Sequence, residues 1–211
     1  YRGDMWGRLA QVATYIAITT FGTEEHALQA IRGVQRAHES VTGTMPDGTP
    51  YAASDPHLLG WVHAAEIDSF LAAHDRYGQH RLVGPERDEY VAQASVAATH
   101  LGVVGAPQTE DELRHTLAAY GPELRGTPAA REAIRFLLLH PDLPLPARPG
   151  YLSLAGAAIG LLPADARREL RLPPVPPVTN RVLGAAATRT IRWAMASGHA
   201  EAHELQQAAR A

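Results

Sequence analysis

Residues 57–78, HLLGWVHAAEIDSFLAAHDRYG, decide the fold class of this chain. Leu59, His63, Ile67 and Phe70 recur every three or four residues, the period of one helix face rather than of a strand. Ser54-Asp55-Pro56 supplies a helix start and Gly78 a stop. One member of the stripe, His63, is an imidazole where the period calls for an aliphatic side chain.

The same signals continue on both sides. Residues 5–20 carry Leu9, Val12 and Ile16 at helical spacing, and Phe21-Gly22 ends the run. Thr23 caps a second helix whose first turn holds Glu24 and Glu25, charges that complement the helix dipole. That helix runs to about Val41, with Leu28, Ile31 and Val34 on one face, and the next position on the face is His38. The stretch GTMPDGTPYAASDP reads as a loop by its Gly, Pro and Asp content. Pro85 opens a further helix through about His100, stopped by Gly102, and Thr109 with Glu112 forms a capping box ahead of LRHTLAAY. Thr127-Pro128 starts the helix containing AREAIRFLLLH, and PDLPLPARPG reads as a non-helical connector. YLSLAGAAIGLL, PADARRELRL, a second proline connector at PPVPP and a last helix from roughly Thr179 to Ala196 complete the chain. Eight or nine helices joined by short loops predict an all-α fold, arranged as one compact multi-helix domain over residues 1–211.

Composition narrows the chemistry. An apolar fraction of 45% with 19% charged residues over 211 residues is that of a soluble globular domain. No run of eighteen apolar residues predicts a membrane span, and the opening YRGDMWGRL is charged rather than signal-like, so a cytoplasmic location is expected. The chain begins without an initiator Met, and further residues are expected upstream. A net charge of -3 argues against a nucleic-acid partner held by a large basic surface. The absence of Cys excludes thiol nucleophiles, iron–sulfur clusters and thiolate-ligated haem. All 19 Lys-plus-Arg residues are Arg, which excludes a Schiff-base lysine, a phosphate-loop lysine and a serine–lysine dyad.

The chemistry left belongs to His, Asp, Glu, Ser, Thr, Tyr, Arg or a cofactor. Of 11 histidines, His74, His80, His115 and the tail pair His199/His203 sit among polar neighbours, and His26 lies beside two glutamates. The tail pair has a spacing that could hold a metal, but its Gln- and Ala-rich setting favours a solvated helix. His38 and His63 differ in lying on apolar faces. Two readings are open for them: a core histidine donating to a backbone carbonyl, or an axial haem ligand. Arg8 shares a face with Gln11, Val12 and Tyr15. If buried it needs an anion, such as a propionate, a substrate or a carboxylate; otherwise it is an exposed residue at a helix start. A metal-dependent hydrolase using His38, His63 and Asp55 or Glu66 is a third chemistry, unsupported by any familiar spacing.

Taken in order, GRLxxVxxYI, FGTxxxA, IRGVQRAHESVTG, DGTPYAASDPHLLGWVHA and PERDEYVAQA followed by LGV resemble the oxygenase family that includes latex-clearing protein and MpaB. The likeness extends over roughly Arg2 to Pro173 and is most specific in VQRAHESVTG and YAASDPHLLGWVHA. It implies an all-helical bacterial protein with haem b, in which His38 matches the proximal iron ligand and Trp61 and His63 line the cofactor pocket. It also implies that Arg8 and Gln11 occupy two positions of a distal motif of Arg, two residues, Lys and Thr. Arg8 matches in kind, whereas Gln11 and Val12 do not, and Gln93 stands where the family pattern carries glutamate. The expected activity is that of an oxygenase acting with dioxygen on an apolar or aromatic small molecule, including oxidative C=C cleavage. The departures at Gln11, Val12 and Gln93 favour an alternative: a catalytically degenerate helical protein that binds a ligand or haem.

Overall fold

The computed structural model describes residues 5–45, 47–139, 143 and 145–208, with side chains on the last helix described as far as Arg192. Nine α-helices and one two-stranded hairpin are found among the described residues, and the fold is all-α. Contacts divide the chain into two compact units, residues 1–71 with 81–122 and residues 72–80 with 123–211.

The first unit contains α1 (Met5–Phe21), α2 (Glu24–Glu39), the hairpin β1 (Thr42–Thr44) and β2 (Pro50–Ala52), most of α3 (Pro56–Tyr77), α4 (Pro85–Leu101) and α5 (Glu110–Tyr120). The capping residues act as the sequence indicates. Thr23 Oγ1 accepts from His26 N at 3.3 Å, and Thr109 Oγ1 accepts from Glu112 N at 3.2 Å. Asp55 Oδ1 accepts from His57 N at 2.9 Å, so this carboxylate caps α3. Gly102, at φ +117, ends α4 in the left-handed conformation that costs glycine least. Its N–H and that of Val103 both return to the Ala98 carbonyl.

Two apolar clusters hold α3 in this unit. Ala64, Ile67 and Leu71 pack with Val91 of α4 and Leu113 of α5, while Leu59 packs with Ala98 and Val103. The buried stripe of α3 therefore ends on Leu71; Phe70 is 38% exposed. At about 100° per residue the buried positions span an arc from Leu59 to Ala64, with Phe70 near its Leu59 edge and Leu71 near its Ala64 edge. A bidentate pair, Arg87 Nε and Nη2 donating to the two Glu110 carboxylate oxygens at 2.8 and 3.0 Å, fastens the start of α4 to the start of α5. On α1 the expected core positions Leu9 and Val12 are 48% and 54% exposed, and only Ile16 is half-buried.

The stretch read as a loop after α2 contains the antiparallel hairpin, with Thr42 opposite Ala52 and Gly43 opposite Tyr51. Strands of three residues are too short to display an alternation that sequence can reveal.

The second unit contains the last turns of α3, α6 (Pro128–Leu139), α7 (Arg148–Leu161), α8 (Ala164–Glu169) and α9 (Pro177–Ala208). α7 lies along α9, with Ala157 and Ala187 buried. Asn180 is 5% exposed and receives a hydrogen bond from the Tyr77 hydroxyl at 2.7 Å. Gly184 permits this arrangement, because a Cβ there would collide with the Tyr77 ring. Helix α7 begins inside the proline connector, taking Pro149 in its first turn, where a missing N–H costs nothing. Helix α9 is longer than the expected 179–196, starting on Pro177 for the same reason.

Candidate functional site

Helices α2 and α3 carry the two histidines singled out by their position. His38 is half-buried, and its Nδ1 is shielded from solvent with no hydrogen-bond partner. His63 is 7% exposed, and its Nε2 is equally shielded and unpartnered. A satisfied core histidine needs a carbonyl at such an atom; these two nitrogens have none among the described residues. Burial pushes the His63 pKa below the usual histidine value, so the ring is neutral at neutral pH. A buried neutral imidazole with a free nitrogen is the form that ligates a metal.

Glu66 stands one turn beyond His63 on α3. Burial raises its pKa, and among the described residues neither a cation nor a hydrogen-bond donor offsets the cost. Tyr15 of α1 and Tyr90 of α4 both have raised pKa values, first through burial and then through the negative charge of Glu66. The Glu66 carboxylate is therefore within electrostatic reach of two phenols from two other helices. This grouping is not visible in the sequence. Tyr15 shares a face with Arg8 and Gln11, but nothing in the chain order connects Glu66 with Tyr90.

The other expected site residues lie elsewhere. Arg8, Gln11 and Val12 are exposed on α1, on the same face as half-buried Tyr15. Trp61 is half-buried against α5, its ring 5.5 Å from that of Tyr120 and edge-on to it. Two residues along a helix are about 200° apart, so Trp61 and His63 do not share a face of α3. Gln93 is exposed and donates to Glu89 at 2.9 Å. Asp55 is occupied as a cap, and no group of three potential metal-binding His, Asp or Glu residues is found among the described residues. The chain's one ExxH spacing, Glu112 with His115, is exposed on α5, and a di-iron centre requires two such motifs. The side chains of His199 and His203 lie outside the described residues.

Residues 1–193 match the family model for the ER-bound oxygenase mpaB/B'/rubber oxygenase catalytic domain. The chain belongs to this family. No curated protein and no solved structure matches it. An oxygenase-type function is therefore supported for the mpaB/rubber oxygenase domain described here, with dioxygen and a substrate as its partners. No described helix is long and apolar enough to cross a membrane. The imidazoles of His38 and His63 suit the haem expected from the family likeness, since each offers a buried nitrogen with no competing partner.

Proposed function

We propose that this mpaB-family domain is a haem b-dependent oxygenase that uses dioxygen to oxidise an apolar or aromatic small molecule, with oxidative cleavage of a C=C bond as the reaction class. The observation that carries this reading is the pair of buried, unpartnered histidine nitrogens on consecutive helices of an oxygenase domain. His38 would hold the iron, His63 would line the cofactor's surroundings, and Arg8 would meet a propionate or face the oxygen side with Gln11. Haem, when bound, supplies the centre at which dioxygen is activated.

The chain's own residues supply the setting. Neutral His63 adds no charge to an apolar environment. Gln11 and Val12 carry no transferable proton, so proton handling would fall to other groups. The Glu66 carboxyl, held above the usual carboxylate range, can keep a proton on its carboxylate oxygen at a pH where an exposed glutamate has lost it. Tyr15 and Tyr90, both raised, remain hydroxyl donors through the neutral range.

A second reading, a helical haem- or ligand-binding protein without turnover, is favoured by the exposure of Arg8, Gln11 and Val12. Absorption spectroscopy and oxygen uptake separate the two. Purified or haem-reconstituted protein is expected to show a Soret band that disappears in His38→Ala. A colourless protein that takes up no haem would sink both haem readings. Haem binding with dioxygen consumption at background, across candidate alkenes and aromatic substrates, would leave the binding protein.

A further inference from the structure

The second unit contains a cavity of about 600 Å³ on α9 and the last residues of α3. Its lining includes four arginines, Arg76, Arg181, Arg189 and Arg192, together with Tyr77 and Thr188. Among the described residues no carboxylate lines it. The three arginines of α9 fall at 181, 189 and 192, intervals of eight and three residues that keep them on one helix face. All three are exposed, so the cavity opens to solvent.

Its wall is fixed rather than incidental. Arg76 Nη2 donates to the Pro177 carbonyl at 3.2 Å, and the Tyr77 hydroxyl donates to buried Asn180 at 2.7 Å. Gly184 lets the Tyr77 ring lie against α9, where any Cβ would displace it. Like charges held together repel one another, and a surface helix with no binding role would disperse them or pair them with acids. Guanidinium forks match phosphate oxygens in pairs. One carboxylate cannot offset four cations, whereas a phosphate or diphosphate approaches that charge. The volume falls in the range of small-molecule sites, leaving room for an organic group beyond the anion. We propose that this cavity is an anion site for a phosphate- or diphosphate-bearing molecule, separate from the histidine site of the oxygenase reading.

Inorganic pyrophosphate is the probe for a soluble source, titrated calorimetrically into the full chain. Phosphatidylcholine vesicles containing phosphatidic acid, in a sedimentation assay, probe a lipid headgroup carrying the same chemistry. Arg181→Gln and Arg189→Gln each remove one guanidinium without touching Arg76 or Tyr77, and Arg135→Gln, exposed on α6 outside the cavity, is the control. Pyrophosphate affinity is expected to fall about tenfold in each cavity variant, to fall with added salt and to be unchanged in the control. Binding confined to the acidic vesicles, with the same dependence on Arg181 and Arg189, assigns the site to a headgroup. No binding to either probe, or binding indifferent to both substitutions while circular dichroism shows the variants folded, overturns the proposal.

Discussion

His63→Leu tests whether the imidazole at the centre of α3 is kept for function at the expense of the fold. The ring is 7% exposed on a stripe whose neighbours, Leu59 and Ile67, are apolar, and its Nε2 has no partner. An unsatisfied buried polar atom costs about 1–3 kcal/mol. Leucine is close in volume and carries no polar atom, and its misfit in a packed core costs on the order of 1 kcal/mol. The variant without haem is therefore expected to gain up to about 2 kcal/mol at pH 7.5, or up to roughly 8 °C in Tm for a chain of this size.

Acid sharpens this test. Burial lowers the His63 pKa from the usual 6.5, so below pH 6.5 the unfolded chain takes up a proton that the folded chain resists. Wild-type stability falls in that window through this group, and the variant is spared. The gap between the two, measured by urea denaturation, is expected to widen from pH 7.5 to pH 5.5, since the other titrating groups are shared. A variant less stable than wild type at pH 7.5, with a gap independent of pH, would show that the imidazole has a stabilising partner and would refute the argument.

Two further predictions concern the same unit. Glu66→Gln is expected to be more stable than wild type at pH 7.5, because burial raises this carboxyl from 4.5 and its ionised form opposes folding; the gain should shrink as pH approaches 4.5, read from Tm across a pH series. Leu113→Ala, at a position 2% exposed among Ala64, Ile67, Leu71 and Val91, should lose about 3–5 kcal/mol by urea denaturation, and a loss below 1 kcal/mol would mean that α5 does not close this core.

Helix starts were legible because they are written locally. Thr23, Asp55 and Thr109 each accept the backbone N–H that a capping residue is there to accept, and Pro56, Pro85 and Pro128 stand at first-turn positions. The hairpin was not legible, since its pairing joins Thr42 to Ala52 across a turn and leaves no periodic trace. Phase within a helix was legible to about one residue, which is why Phe70 and Leu71 exchanged places. Periodicity on α1 marked Leu9 and Val12 as apolar but could not say what, if anything, would cover them; both are exposed.

The candidate site divides along the same line. That His38 and His63 lie on inward faces follows from helix phase, and the structure adds that one nitrogen of each is left without a partner. The meeting of Glu66 with Tyr15 and Tyr90 depends on how α1, α3 and α4 come together, and no local rule encodes that.

The titration signs of His63 and Glu66 then bear on why they are there. Protonation of His63 opposes folding in acid, and ionisation of Glu66 opposes it at neutral pH, so each destabilises the unit in its charged form. Among the described residues neither receives a compensating hydrogen bond or ion pair, although both occupy one segment of a helix whose other inward positions, Leu59, Ala64, Ile67 and Leu71, are apolar and well packed. Packing alone would fill positions 63 and 66 with more of the same. Two titratable groups within one turn, on a helix whose other inward positions are apolar, cost the fold stability, and the oxygenase role proposed above is what they would serve. The opposed pH dependences of the two variants measure the size of that cost without requiring turnover.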